Sequence, residues 1–136
     1  QLFAADHLIA HLAFYPYDFQ EGCYYKITYE ESTWISEGVE IGRDTLILPG
    51  CTITGETKIG EDCIIGEDSR LDNTIVGDGT EIDKSVCTDC VIGSECKIGP
   101  FSHIRPDSVL KDHVTIGAYV EVKNSSIECS PNISGW

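Results

Sequence analysis

Positive charge is scarce in this chain. Nine Lys and Arg stand against 23 Asp and Glu, a net charge of −14 over 136 residues. Nucleic acids and anionic membrane surfaces are polyanions, so this balance argues against both as partners. Long apolar runs are also lacking. No segment has the length and apolarity of a transmembrane helix, and none is expected. The opening QLFAADHLIAHLAFYPY has an apolar run but no basic flank, so no signal peptide is read there, and it carries no initiator Met. The length suits one domain. The cysteines number seven, and an odd count excludes complete pairing within the chain. A cytoplasmic location is the expectation.

What the chain does have is a period. An aliphatic residue returns at Ile35, Ile41, Ile47, Ile53, Ile59, Ile65, Leu71, Val76, Ile82, Val86, Ile92, Ile98, Ile104, Leu110, Ile116 and Val122. Thirteen of the fifteen steps are six residues; Leu71 to Val76 and Ile82 to Val86 are short. A helix would repeat at three and four, and a hairpin sheet would alternate at two between irregular turns. A fixed six-residue period predicts an all-β parallel β-helix. Gly often follows the aliphatic, as at 42, 60, 66, 77, 93, 99 and 117. Four residues after the aliphatic the side chain is small or β-branched, from Val39 and Thr45 to Val120 and Ser126. Cys51, Cys63, Cys90 and Cys96 fall on that inward position, where a free thiol packs as a small hydrophobe in a reducing compartment.

Three hexads make a triangular coil of 18 residues, and about five coils stack at the spacing of hydrogen-bonded strands, about 4.8 Å. Residues 18 apart therefore lie one above another. Arg105 and Lys123 are 18 apart, and both take the place after the aliphatic where Gly is usual. Residues 35–97 sum to −9, yet 98–123 sum to zero, so positive charge gathers around this pair. Two stacked cations repel by roughly 1 kcal/mol in water and by several at a protein-like dielectric. A bound phosphate would offset that repulsion. So would Glu121, or both side chains could point to solvent.

Other candidates are weaker. His7 and His11 share a face if LFAADHLIAHLAF is a helix, but no HExxH and no third ligand accompany them, and a helix capping the first coil is the simpler reading. Cys87 and Cys90 form a lone CxxC, with redox or zinc use set against plain packing. His103 and His113 are ten apart, off the 18-residue register, and read as surface histidines. Asn124 and Asn132 begin N-x-S/T sequons that a cytosolic chain would not use. No metal site is expected.

The segments EGVEIGRDTLILPGCTITGETKIGEDCIIGEDSRL, IVGDGTEIDKSV and VIGSECKIGPFSHIRPDSVLKDHVTIGAYVEVKNS closely resemble the acetyltransferase domain of the bacterial bifunctional N-acetylglucosamine-1-phosphate uridyltransferase/glucosamine-1-phosphate acetyltransferase. The resemblance covers residues 32–126 and is most specific in IGPFSHIRPDSVL and IGAYVEVK. It implies a left-handed β-helix, a homotrimer with sites between subunits, and acetyl-CoA as co-substrate, with no resident cofactor. It assigns Arg105 of the RP motif and Lys123 of the VEVK motif to the sugar phosphate. The family's catalytic base lies in a His-Leu-Thr/Ser-Tyr segment about a dozen residues after that lysine, where this chain reads SSIECSPNISGW. No Gly-rich nucleotide loop stands in for the uridyltransferase half, and the first 30 residues match nothing in the family. The expected organisation is a helix/strand cap over 1–33, the β-helix over 34–126 and a non-repeat tail over 127–136. The expected function is a glucosamine-1-phosphate N-acetyltransferase-like domain with no catalytic residue in this chain, inactive or nearly so. The alternative is a non-catalytic oligomerisation module or a remnant sugar-phosphate binder.

Overall fold

The computed structural model describes residues 25–27 and 32–129. The helix expected around His7 and His11, and Asn132, lie outside the described residues. The chain winds as a left-handed parallel β-helix of about five coils. Its strands are two or three residues long and, numbered in chain order, every third one falls in the same flat sheet. The first sheet holds β1 (Lys26–Ile27), β4 (Leu46–Ile47), β7 (Ile64–Ile65), β10 (Glu81–Ile82), β13 (Lys97–Ile98) and β16 (Thr115–Ile116). The second holds β2 (Trp34–Ile35), β5 (Thr52–Thr54), β8 (Arg70–Asp72), β11 (Val86–Thr88), β14 (His103–Ile104) and β17 (Glu121–Val122). The third holds β3 (Glu40–Ile41), β6 (Lys58–Ile59), β9 (Ile75–Val76), β12 (Val91–Ile92), β15 (Val109–Leu110) and β18 (Ser126–Ile127). No described helix is long and apolar enough to cross a membrane.

Each sheet contributes one column of inward side chains. Ile47, Ile65, Ile82, Ile98 and Ile116 stack in the first, Ile59, Val76, Ile92 and Leu110 in the third. In the second, Ile35, Ile53, Leu71, Cys87, Ile104 and Val122 stack. These residues form the buried core.

The second column corrects the sequence reading. Cys87, not Val86, is its fourth member: Cys87 pairs with Leu71 and Ile104 and is fully buried, whereas Val86 pairs with Arg70 and faces outward. Ser85 fills the corner below, so the next residue must point out and the one after it in. The two steps between Ile82 and Ile92 are thus five and five residues, not four and six. Ile127 continues the third column by another five-residue step, in register with Leu110.

At the corners, small side chains stack in three further columns and satisfy the prism's interior carbonyls. Thr45 Oγ1 donates to Gly60 O at 2.7 Å and Thr80 Oγ1 to Gly93 O at 2.7 Å. Thiols do the same: Cys51 to Gly66 O, Cys63 to Gly77 O and Cys96 to Lys111 O, each at 3.0 Å. All four cysteines expected inside are buried and free. Ser126, also expected inside, faces out, because the short step after Val122 shifts the corner place to Ser125.

Candidate functional site

The outward positions of the second sheet carry the candidate site. Ile104 of β14 pairs with Val122 of β17, and Arg105 N donates to Val122 O at 2.7 Å. Arg105 and Lys123 therefore leave the same edge on consecutive coils, as their spacing predicts. Two residues earlier on the same face, His103 pairs with Glu121. The four side chains form a two-by-two set: His103 beside Glu121, Arg105 beside Lys123. Along a strand, i and i+2 share a face about 6.6 Å apart, and neighbouring strands are about 4.8 Å apart.

Within this set Arg105 is engaged. Its Nη1 donates to Glu121 Oε2 at 2.8 Å. Both side chains are about half exposed, at 41% and 57%. That hydrogen bond is the largest influence holding the Glu121 carboxyl below its ordinary range, with the charges of Arg105, His103 and Lys123 acting the same way and lost hydration acting against them. Lys123 is exposed and makes no ion pair among the described residues.

The same face continues as a groove of about 220 Å³ over the three-residue strands β5, β8 and β11. Thr52, Thr54, Arg70, Asp72, Val86 and Thr88 line it, and Thr54 Oγ1 donates to Asp72 Oδ1 at 2.8 Å. Thr88 occupies the outward position directly before Arg105 in the stack.

The other candidates separate. His103 lies on the strand face, whereas His113 sits at a corner with φ of 65° and its amide bonded to Ser94 O. Cys87 and Cys90 do meet inside the prism. Their mutual hydrogen bond, then burial, raise the Cys87 thiol well above its ordinary range. Burial likewise raises Cys51, to about 11. The Cys87 and Cys51 thiols are therefore protonated at neutral pH, whereas the hydrogen bond with Cys87 lowers the Cys90 thiol against its burial. No cluster of three metal-ligating side chains occurs among the described residues. Asn124 is an exposed turn residue with φ of 47°.

Sequence reasoning passed over two features. His103 is exposed, as expected of a surface histidine, but its 18-residue spacing from Glu121 also marks the strand pairing. Phe101 and Tyr119, also 18 apart, stack with ring centroids 5.4 Å apart at the corner before this face.

Comparisons with known proteins place the chain in a family. The chain is 48% identical over 94 residues to the bifunctional protein GlmU of Alkaliphilus oremlandii, covering 69% of this chain and 21% of that protein. It is 53% identical over 94 residues to the bifunctional protein GlmU of a Geobacillus species, covering 69% and 20%. The chain thus spans about a fifth of the length of these curated relatives. Its fold matches the acetyltransferase domain of PglB from Neisseria gonorrhoeae, solved with acetyl coenzyme A, with a TM-score of 0.68 and 13% identity, over 93% of this chain and 65% of that one. Residues 28–134 match the family described as the GMPPB C-terminal domain. The chain belongs to that family, and its β-helix is similar in sequence to part of the GlmU proteins.

Proposed function

We propose that this domain binds a sugar 1-phosphate, of the glucosamine 1-phosphate type, on the edge formed by Arg105 and Lys123. The observation that carries this reading is the register of β14 and β17, which brings a guanidinium and an ammonium to one edge of an otherwise acidic chain. Arg offers a planar fork and Lys a point charge, a pairing suited to a phosphate monoester. Similarity to GlmU supports the sugar and the nucleotide-sugar pathway, and supports a cytoplasmic homotrimer whose sites lie between subunits.

Acetyl transfer from acetyl-CoA to a sugar amine needs a base within hydrogen-bond reach of that amine. Residues 124–136 contain no His, and the bases set directly beside the Arg105–Lys123 edge are His103 and the Glu121 already held by Arg105. We therefore infer that these 136 residues bind the sugar phosphate without acetylating it. Calorimetry with glucosamine 1-phosphate tests the binding. Heat with the wild type, abolished in Arg105→Ala and in Lys123→Ala, is the expected result; no heat with the wild type overturns it. Release of free thiol from acetyl-CoA at an enzymatic rate by the same chain overturns the inference of inactivity.

A second reading, a non-catalytic oligomerisation module, draws on the same Arg105–Glu121 contact, because a paired guanidinium needs no ligand. A trimer by light scattering, together with no sugar-phosphate binding, favours it.

A further inference from the structure

His103 sits beside the Glu121 carboxylate on the neighbouring strand, on the side of the face away from the Arg105–Lys123 edge. This placement matters because the proposed site contains its own competitor. Arg105 Nη1 is bonded to Glu121 Oε2 at 2.8 Å. A phosphate laid across Arg105 and Lys123 would share that guanidinium with a carboxylate, and two anions that close repel. The carboxylate must then turn away from Arg105, and it needs a new partner to remain favourably placed.

The surroundings of Glu121 narrow the choice. Its strand partner on the inner side is β14, which presents His103 outward and Ile104 inward. The described groups whose charges act on its carboxyl are Arg105, His103 and Lys123. A ligand phosphate would engage Arg105 and Lys123, which leaves the imidazole. An imidazole N–H can donate to a carboxylate in either the neutral or the charged state.

We propose that His103 is a positioning residue: it takes up the Glu121 carboxylate when Arg105 turns to a phosphate, and so keeps the competing anion off the binding edge. The inference rests on the sugar-phosphate reading of Arg105 and Lys123. It adds that a residue making no contact with the ligand sets its affinity.

A double-mutant cycle tests it. Binding of glucosamine 1-phosphate, and separately of inorganic phosphate, is measured by calorimetry for wild type, His103→Ala, Glu121→Gln and the double variant, with circular dichroism confirming the fold of each. His103→Ala is expected to weaken binding about tenfold when Glu121 is present and less than about twofold in the Glu121→Gln background, the non-additivity of coupled neighbours. His103→Gln, which keeps an N–H donor, is expected to recover much of the loss. An equal loss in both backgrounds means that His103 touches the ligand directly, and overturns the proposal; so does no loss in either. Arg105→Ala separates the two levels. If it binds as tightly as wild type, the sugar-phosphate reading itself fails. If it abolishes binding while His103→Ala changes nothing, only the role of His103 falls.

Discussion

Arg105 Nη1 lies 2.8 Å from Glu121 Oε2, so the guanidinium proposed to hold a ligand phosphate already holds a carboxylate from the next coil. The pair neutralises itself, and the net positive charge of the edge comes from Lys123. Removing the carboxylate's charge should therefore strengthen anion binding. Glu121→Gln is expected to tighten the affinity for glucosamine 1-phosphate by about three- to tenfold, the order of one screened charge–charge interaction. The gain should shrink as salt is raised, because the groups are exposed. Calorimetry at two ionic strengths checks both. A loss of affinity would mean that the carboxylate contacts the sugar rather than competing with the phosphate.

The same contact has a pH signature. Arg105, chiefly through its hydrogen bond, holds the Glu121 carboxyl below the ordinary 4.5. A depressed carboxyl adds stability that is present above the unfolded value and is lost as pH falls through the folded one. The pairing should thus be complete at neutral pH and disappear only in acid, below the ordinary carboxylate range. NMR titration of the Glu121 side-chain carbonyl should show a midpoint that moves upward, toward the ordinary value, in Arg105→Ala. An unchanged midpoint would remove the Arg105 contact from the solution structure.

Much of this was legible in the chain because a β-helix writes its geometry as a period. Eighteen-residue spacing alone sets Arg105 beside Lys123 on consecutive coils, and the register of Ile104 with Val122 agrees. Periodicity failed where the period broke. Ten residues separate Ile82 from Ile92, and they divide equally well as four and six or five and five. Val86 is the more obvious core side chain, and hydrophobicity alone prefers it. The decision rests on Ser85, whose burial at the corner sets the parity of the residues after it. The partner of Glu121 was undecided for a different reason. Its strand register sets it beside His103, and Arg105 and Lys123 are both near enough to reach, so side-chain conformation, absent from spacing, makes the choice. Phe101 and Tyr119 were passed over because their corner favours Asn, Asp or Gly; both adopt φ near 60°, as Asp62, Asp68 and Asp107 do at other corners.

The buried cysteines among the described residues fall into two physical classes that serine substitution should separate. Cys63 and Cys96 stand in corner columns where they donate to Gly77 O and Lys111 O, and their neighbours Thr45 and Thr80 make the matching bonds through hydroxyls. A serine there keeps the donor, so Cys63→Ser and Cys96→Ser should change stability by less than about 1 kcal/mol. Cys87 instead stands among aliphatics, between Leu71 and Ile104, with Cys90 as its hydrogen-bonding neighbour. Cys87→Ser buries a more polar group in that column and should cost about 1–3 kcal/mol, whereas Cys87→Val should cost less. Urea unfolding at constant m-value measures all four. Equal costs for Cys87→Ser and Cys96→Ser would contradict the five-and-five division of the chain, since that division is what puts Cys87 in the apolar column.

Two glycines at equivalent places in the repeat should respond in opposite ways to the same change. A Cβ on Gly42 would lie 2.6 Å from the carbonyl carbon and oxygen of Gly60 and 2.8 Å from Glu61 N. All three are backbone atoms of the next coil, and they cannot move aside without breaking the ladder in which Gly42 N donates to Ile59 O at 2.8 Å. A Cβ on Gly117 would meet nothing within 4 Å, and its φ lies outside the left-handed region. Gly42→Ala should therefore destabilise by about 1–3 kcal/mol, the cost of overpacking. Gly117→Ala should be neutral or stabilise by up to about 1 kcal/mol, because alanine restricts the unfolded chain. Thermal and urea unfolding of the two variants decide the point. A cost for Gly117→Ala as large as that for Gly42→Ala would show that another surface, a further coil or a second subunit, packs against that corner in solution.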